Sequence, residues 1–239
     1  MAFHWLFPTP VLQVDLTPEA GVAAAMDAEL VTFDREVFAH PEFSDRNNLT
    51  GDLLGRAGLD QVHRLEAFQW LNRQLALHVS GFLQELLGPA HGLEVHIQKA
   101  WPVVCAQEGG TIEPHTHRNA QLSAVFYVCT EADNATGELE FQAPEDYFSH
   151  VMAIPYKDAA ASGGVFAPKQ HRLLLFPSDL THRVTPYEGS SPRYSVSYDL
   201  AITTPPGEGR EMRMPHPMDW VPLSGMARPE RIPPVSGSP

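Results

Sequence analysis

The sequence predicts a mainly β domain with flanking helices, built as an antiparallel sandwich or jelly roll. Three observations favour this class. Helical periodicity is confined to the part of the chain before Gly88, and the stretch from Leu93 to Ile202 consists of short β-rich runs separated by turn clusters. After Thr203 the chain is rich in proline, glycine, methionine and charge.

Size and charge limit the classes of function. The chain has 239 residues, of which 43% are hydrophobic and 19% charged, and this suits one soluble globular domain. The formal net charge of -13 repels phosphate backbones and anionic lipid surfaces, so we expect neither nucleic acid nor membrane as a partner.

The two cysteines and the N-terminus indicate a compartment. Cys105 and Cys129 both lie in apolar, strand-like surroundings, which suits a reducing environment better than a disulfide framework. The first residues lack the basic segment and cleavage site of a secretory leader, and no apolar run is long enough to span a bilayer. We therefore predict a cytoplasmic protein.

Two helices are predicted before the β-rich region. The first begins near Thr17, as N-cap, and Pro18. The second covers 60–87, where apolar residues recur every three or four positions, and Gly88 ends it. Its apolar stripe should pack against a sheet, and such a long amphipathic helix is also compatible with a homodimer.

Six runs form the predicted β core. They are LEVHIQKAWPVV (93–104), QLSAVFYVCT (121–130), GELEFQA (137–143), RLLLFPS (172–178), HRVTPYE (182–188) and RYSVSYDLAI (193–202). We predict a single domain over 1–203, with helical support from 1–92 and the β core from 93–203. The extension 204–239 is too poor in apolar residues to order fully, and we predict it to be partly disordered.

A histidine pattern in the β core predicts a metal site. His115 and His117 are two residues apart, so on a strand both rings would project from one face. His182, from a distant strand, would complete a three-nitrogen site with open coordination positions, as a catalytic metal requires.

Two segments resemble a known family. The stretch from His115 through Val128 (HTHRNAQLSAVFYV) and the stretch from Leu175 through Val184 (LFPSDLTHRV) are similar to a bacterial and phage branch of the 2-oxoglutarate, Fe(II)-dependent oxygenases. The segment FPTPV near the N-terminus and the later RYS fit the same branch. The resemblance implies a double-stranded β-helix, or jelly roll, with helices packed outside it.

The resemblance also implies roles for particular residues. His115 matches the proximal iron-binding histidine and His182 the distal one. Arg193, eleven positions after His182, matches the residue that pairs with the far carboxylate of 2-oxoglutarate, which a planar guanidinium binds bidentately. Further co-substrate contacts are implied for Ser195, Tyr127 and Ser123.

His117 departs from the pattern of the wider superfamily. Most members have a carboxylate two residues after the first histidine, so a neutral imidazole leaves the ligand set one negative charge poorer. We predict His117 as the third ligand, with Asn119 or an exogenous ligand as the alternative.

The implied activity is that of a non-haem dioxygenase. The family uses Fe(II), 2-oxoglutarate as co-substrate and O2, with ascorbate in support, and releases succinate and CO2. Hydroxylation of an amino acid, a peptide or another small metabolite is the expected outcome, within an interior lined by Trp101, Phe126 and Phe141. No protein side chain is assigned an acid or base role.

Two alternatives remain at this stage. Gly109 followed by His115 and His117, and Pro177 followed by His182, also imitate the two motifs of the cupins, which would make the chain a three-histidine dioxygenase or isomerase without 2-oxoglutarate. A cupin would leave Arg193 as a surface residue. A metal-free jelly-roll binding module would leave the histidines as polar edge residues.

Overall fold

The computed structural model describes residues 9–39, 59–105, 109–132, 134, 136–143, 152, 163–209 and 211–222. Over these residues the chain forms two helices, α1 (Ala20–Ala39) and α2 (Gln69–Leu87), and nine strands. The strands are β1 (Leu12–Asp15), β2 (Glu94–Cys105), β3 (Gly110–His115), β4 (Leu122–Cys129), β5 (Leu139–Gln142), β6 (Gly163–Phe166), β7 (Arg172–Pro177), β8 (His182–Tyr187) and β9 (Arg193–Thr203).

The strands form two sheets. One has the order β1-β7-β4-β9-β2 and the other the order β3-β8-β5-β6. Strand β4 runs antiparallel to β7 and β9, and β8 runs antiparallel to β3 and β5. Apolar side chains from both sheets pack into one core: Cys105, Tyr127, Leu139, Phe141, Leu174, Phe176, Val184 and Tyr187. The predicted class, a mainly β jelly roll with flanking helices, is confirmed.

Helix α2 buries the apolar stripe that predicted it. Its buried residues are Leu71, Leu75, Val79, Phe82 and Leu83. The helix begins at Gln69 rather than near Asp60, because 62–64 and 66–68 form two short 3-10 turns instead. It ends at Leu87 as predicted, with Gly88 at a φ of 82°.

Both helices hold the outer face of β9. The Tyr194 hydroxyl donates to the Asp34 carboxylate of α1 at 2.9 Å, and the Tyr198 hydroxyl donates to the Asn72 amide oxygen of α2 at 3.3 Å. Because side chains alternate along a strand, Ser195 and Ser197 face the opposite way, into the cavity between the sheets. Neither helix has the length and apolar character that a bilayer span requires.

The N-terminal region contains a strand that the sequence analysis missed. Residues of β1 pair with β7, although the zone was predicted to be mainly helical, because LQVD is too short for its alternation to stand out. Asp15 accepts hydrogen bonds from Arg172 at 2.8 Å and Lys169 at 2.6 Å, and these contacts lower the pKa of its carboxyl to about 2. Helix α1 begins only at Ala20, so Thr17 is not its N-cap.

Strands β3 and β6 were also missed, for reasons visible in their sequences. The β3 sequence GTIEPH contains a proline and a glutamate, and its pairing with β8 is interrupted by two register shifts. The β6 sequence GGVF begins with two glycines, which are poor strand formers. Low β propensity therefore does not reveal strands that form because they pair with neighbouring strands.

The chain separates into two compact units. The larger comprises Met1–His91 and Val95–Ala201, and the smaller comprises Gly92–Glu94 and Ile202–Pro239. Within the smaller unit, the Thr204 N–H donates to the Met214 carbonyl at 2.9 Å, and 217–219 forms a 3-10 turn. The predicted domain limit near residue 203 stays a prediction, and most of the tail, 223–239, lies outside the described residues.

Candidate metal and co-substrate site

A cavity of about 670 Å³ opens between the two sheets. Strands β2, β3, β4, β8 and β9 all contribute to its walls. All seven residues predicted from the sequence as metal or co-substrate ligands line it: His115, His117, Ser123, Tyr127, His182, Arg193 and Ser195. The fold thus collects side chains that are up to 80 positions apart, from 115 to 195, in one chamber.

The three histidines converge at this cavity. His115 and His182 are directly opposite each other in the β3–β8 register, with ring centroids 4.4 Å apart. The His117 ring lies 5.2 Å from each of the other two. One ring nitrogen from each residue lies within 4.8 Å of the other two, a spacing that a single ion can bridge.

The reason given from the sequence for this convergence was wrong. Strand β3 ends at His115, so His117 does not project from the same strand face. Its backbone N–H instead donates to the Ser178 carbonyl at 2.8 Å, which fixes the turn after β3 against the loop between β7 and β8. Tertiary contact therefore brings the His117 ring back toward the other two.

Hydrogen bonds assign the free nitrogen of each ring. Nδ1 of His115 lies 2.8 Å from the Glu113 carbonyl, and Nδ1 of His182 lies 2.8 Å from the Leu180 carbonyl. A carbonyl only accepts, so both Nδ1 atoms carry the hydrogen and the lone pair is on Nε2. This donor set suits a divalent metal, because neutral imidazoles with a fixed tautomer are ready ligands.

Burial favours the neutral form of these rings. It lowers the pKa of His115, an effect that the hydrogen bond to the Glu113 carbonyl partly offsets. Burial also lowers the pKa of His182 to about 4, because that ring is only 3% exposed and desolvation penalises the charged form. Near neutral pH both rings are therefore free of the proton that would compete with a metal.

Asp199 is a site residue that the sequence analysis missed. Its carboxylate is fully buried, and Oδ1 lies 2.5 Å from Nδ1 of His117. Lys99 Nζ lies 3.1 Å from Oδ2. Burial alone would raise the pKa of Asp199, but the His117 hydrogen bond and the Lys99 ion pair outweigh it and lower the pKa. The alternation Arg193, Ser195, Ser197, Asp199 along β9 could have revealed this residue.

Arg193 is a buried cation at the other end of the same strand face. It is 2% exposed, and its guanidinium donates to the Gly137 carbonyl and to Cys105 Sγ, the latter at 2.8 Å. Over the described residues no carboxylate forms an ion pair with it, and its buried Nε has no hydrogen-bond partner. A buried charge without an anion is costly, so this guanidinium is suited to an anionic ligand.

Aromatic rings form the walls beside the guanidinium. The Arg193 carbon Cζ lies 5.3 Å from the Tyr127 ring centroid and 5.8 Å from that of Tyr187. The Ser195 hydroxyl donates to the Val103 carbonyl at 3.4 Å. The two aromatic contacts position the guanidinium without neutralising its charge.

The remaining predicted residues differ in their surroundings. Ser123 lines the cavity, but its hydroxyl lies 2.9 Å from that of Ser178 and 3.2 Å from Asp199 Oδ1. Asn119 lies at the exposed rim of the cavity. Of the three predicted lining aromatics, only Trp101 lines the cavity. Phe126 packs against Trp70 of α2, with ring centroids 6.5 Å apart, and Phe141 packs against Phe176 in the core, so those two predictions were wrong.

Fold and cavity together define a jelly-roll protein with an open three-nitrogen metal site. Residues 99–199 match the family model described as "Putative 2OG-Fe(II) oxygenase". A comparison with curated proteins gives no match.

Three solved structures illustrate the similarity at low sequence identity. The nickel complex of the non-heme monooxygenase ThoJ is 15% identical with a TM-score of 0.51, over 82% of this chain and 76% of that one. AviO1 from Streptomyces viridochromogenes Tue57 is 11% identical with a TM-score of 0.51, over 87% and 93%. A Pseudomonas putida prolyl-4-hydroxylase is 19% identical with a TM-score of 0.49, over 81% and 89%.

Over residues 99–199 the chain is therefore similar to the 2-oxoglutarate, Fe(II)-dependent oxygenases. Members of that family use Fe(II), 2-oxoglutarate and O2. The buried position of Arg193 also differs from the surface position that the cupin alternative requires.

Proposed function

We propose that this protein is a dioxygenase that hydroxylates an amino acid, a peptide or another small metabolite, with conversion of 2-oxoglutarate to succinate and CO2. The observation that carries the proposal is the buried guanidinium of Arg193, which has no anionic partner in the described part of the chain and shares a cavity with three convergent histidines.

His115, His117 and His182 are the proposed metal ligands, each through Nε2. Fe(II), when bound, supplies the O2 activation that oxidation of a C–H bond requires. The protein's part is to present three neutral rings in fixed tautomers and to leave the remaining coordination positions open. The backbone carbonyls behind His115 and His182 perform that orientation.

Arg193 is the proposed anchor for the far carboxylate of 2-oxoglutarate. Its planar group offers paired N–H donors that match a carboxylate, and burial strengthens the interaction because water does not screen it. Tyr127 and Ser195, which flank the guanidinium, are proposed to border the same ligand. Ser123 is proposed to reach it from the metal side of the cavity.

The cavity walls exclude water from the reacting centre. Trp101 stacks on the His117 ring at 5.6 Å, and Phe176 packs edge-on against the His182 ring at 5.0 Å. Both aromatic side chains line the cavity beside these rings. Exclusion of water by apolar walls protects a strong oxidant from side reactions, which suits hydroxylation of an unactivated C–H bond.

Succinate formation tests the proposal. The purified protein is incubated with Fe(II), ascorbate, O2 and 2-oxoglutarate, alone and with a broad mixture of amino acids and peptides, and succinate is measured by proton NMR. We expect succinate in both samples, with more when a substrate is present. An absence of succinate in both samples would refute the proposal.

A third sample without 2-oxoglutarate, with O2 uptake and bound iron measured in all three, separates the alternative functions. A cupin-type dioxygenase would consume O2 with a substrate whether or not 2-oxoglutarate is present. A binding module without a metal would take up no Fe(II) at all. The Arg172→Met variant serves as a control for general damage, because Arg172 pairs with Asp15 outside the cavity.

A further inference from the structure

The three proposed ligand rings differ in what lies behind them. His115 and His182 donate from Nδ1 to neutral backbone carbonyls, each at 2.8 Å. His117 faces the carboxylate of Asp199 at 2.5 Å. A full negative charge therefore stands behind one ring of the three.

Three polar side chains contact the Asp199 carboxylate. It is fully buried, its Oδ1 accepts from His117 and from Ser123 at 3.2 Å, and its Oδ2 faces Lys99 Nζ at 3.1 Å. Asp199 and Ser123 are also direct partners in the β4–β9 register. An anion buried this deeply is costly unless a cation compensates it, and Lys99, 33% exposed, supplies that cation.

The His117 ring is fixed on its face as well as at its edge. Trp101 stacks on it with an interplanar angle of 27°, and Lys99 Nζ lies 4.7 Å from the Trp101 ring centroid. Lys99 and Trp101 are two residues apart on β2 and share one strand face. Two residues of β2 thus position both the His117 ring and the Asp199 carboxylate.

We propose that Asp199 supplies to the metal, through the His117 ring, the negative charge that a set of three imidazoles lacks, and that Lys99 and Ser123 position this carboxylate. The inference rests on the proposed metal ligands. A carboxylate that accepts from Nδ1 makes the ring a stronger donor at Nε2, which strengthens binding of a divalent ion and favours its oxidised state. Asp199 is in this account a positioning residue that acts through His117.

Metal binding in the absence of 2-oxoglutarate tests the inference. Asp199→Asn keeps the shape and an acceptor oxygen but removes the charge. We expect Co(II) affinity, measured anaerobically by competition with a chromophoric chelator, to fall tenfold to a hundredfold. We also expect the Fe(III)/Fe(II) reduction potential to rise. Glu140→Gln, which removes a carboxylate that pairs with Arg183 and does not line the cavity, is the matched control and should bind Co(II) as the wild type does.

A double variant separates this effect from net charge and from misfolding. Lys99→Met combined with Asp199→Asn has the net charge of the wild-type protein and removes both partners of the ion pair, so no buried charge is left unpaired. We expect its Co(II) affinity to stay at least tenfold below wild type. Wild-type affinity in either Asp199 variant would overturn the inference.

The outcome is distinguishable from failure of the proposed function. Weakened Co(II) binding in the variants together with no succinate from the wild type would support the Asp199 inference and refute the oxygenase activity. Succinate from the wild type together with unchanged metal affinity in both variants would support the oxygenase activity and refute the Asp199 inference.

Discussion

Replacing Arg193 with methionine tests whether the buried guanidinium serves a ligand or the fold. Methionine is flexible and apolar and can fill the space between the Tyr127 and Tyr187 rings. The guanidinium has no acidic partner over the described residues, so the substitution breaks no known ion pair. It removes a desolvated charge and leaves the Gly137 carbonyl without this donor.

The expected magnitudes follow from these contacts. Removing a buried, unpaired charge relieves several kcal/mol, whereas the lost hydrogen bonds to the Gly137 carbonyl and Cys105 Sγ together cost about 1–3 kcal/mol and the lost cation–π contacts about 1–2 kcal/mol. These contributions nearly cancel, so the free energy of unfolding should change by less than about 2 kcal/mol. Binding of 2-oxoglutarate should instead lose about 2–5 kcal/mol, a factor of roughly 30 to several thousand in Kd.

The assay pairs calorimetry with unfolding. Binding of 2-oxoglutarate to the Co(II)-loaded protein is measured anaerobically by isothermal titration, and the free energy of unfolding is measured by denaturant titration. Arg183→Met is the matched control, because that side chain is 44% exposed and pairs with Glu140. The control should bind 2-oxoglutarate as the wild type does.

Two results would refute the reasoning. A Kd for 2-oxoglutarate within threefold of wild type in Arg193→Met would show that the guanidinium does not hold the co-substrate. A loss of unfolding free energy of about 4 kcal/mol or more would show that Arg193 is chiefly a structural residue.

Three further variants test separate parts of the structure. His182→Ala should lose bound metal, and mass-spectrometric iron content equal to that of the His78→Ala control would contradict its role. Gly137→Ala should lower stability and also weaken 2-oxoglutarate binding, because φ is +72° and a Cβ would meet the Arg193 guanidinium at 2.9 Å. The control Gly207→Ala, at the same φ in open space, should lower stability alone. Equal 2-oxoglutarate affinities in the two variants would contradict this role of the contact. Asp15→Asn should lower the free energy of unfolding by under about 1 kcal/mol, because the ion pair is exposed. That contribution is present above pH 4 and is lost as the pH falls through about 2. The same difference in unfolding free energy between wild type and variant at pH 5 and at pH 2.5 would contradict the lowered pKa.

The β core could be predicted because its strands bury apolar residues in regular runs. The runs that gave β4, β7 and β9 have strong β propensity and clear turn boundaries. The structure differs where neighbours impose extended structure on unfavourable sequence, as in β3 with its proline and β6 with its glycines. Helix α2 was predicted too long because apolar periodicity does not distinguish an α-helix from 3-10 turns that bury the same side.

The sequence predicted most residues of the candidate site, but not all of the contacts that hold them in place. Ligand spacing and the offset to Arg193 predicted residues that the fold brings into one cavity. His117 reaches the cavity through a turn held by Ser178 and not through strand alternation. Alternation along β9 places Asp199 on the strand face of Arg193, but its contact with His117 depends on the turn after β3, which the sequence does not reveal.

Anomalous diffraction at the iron edge, from crystals grown anaerobically with Fe(II) and 2-oxoglutarate, would locate the metal and the co-substrate in one experiment. We expect one strong peak equidistant from the Nε2 atoms of His115, His117 and His182, with the co-substrate chelating that ion and its far carboxylate on the Arg193 guanidinium. A peak elsewhere, no peak, or a diacid that does not contact Arg193 would contradict this expectation.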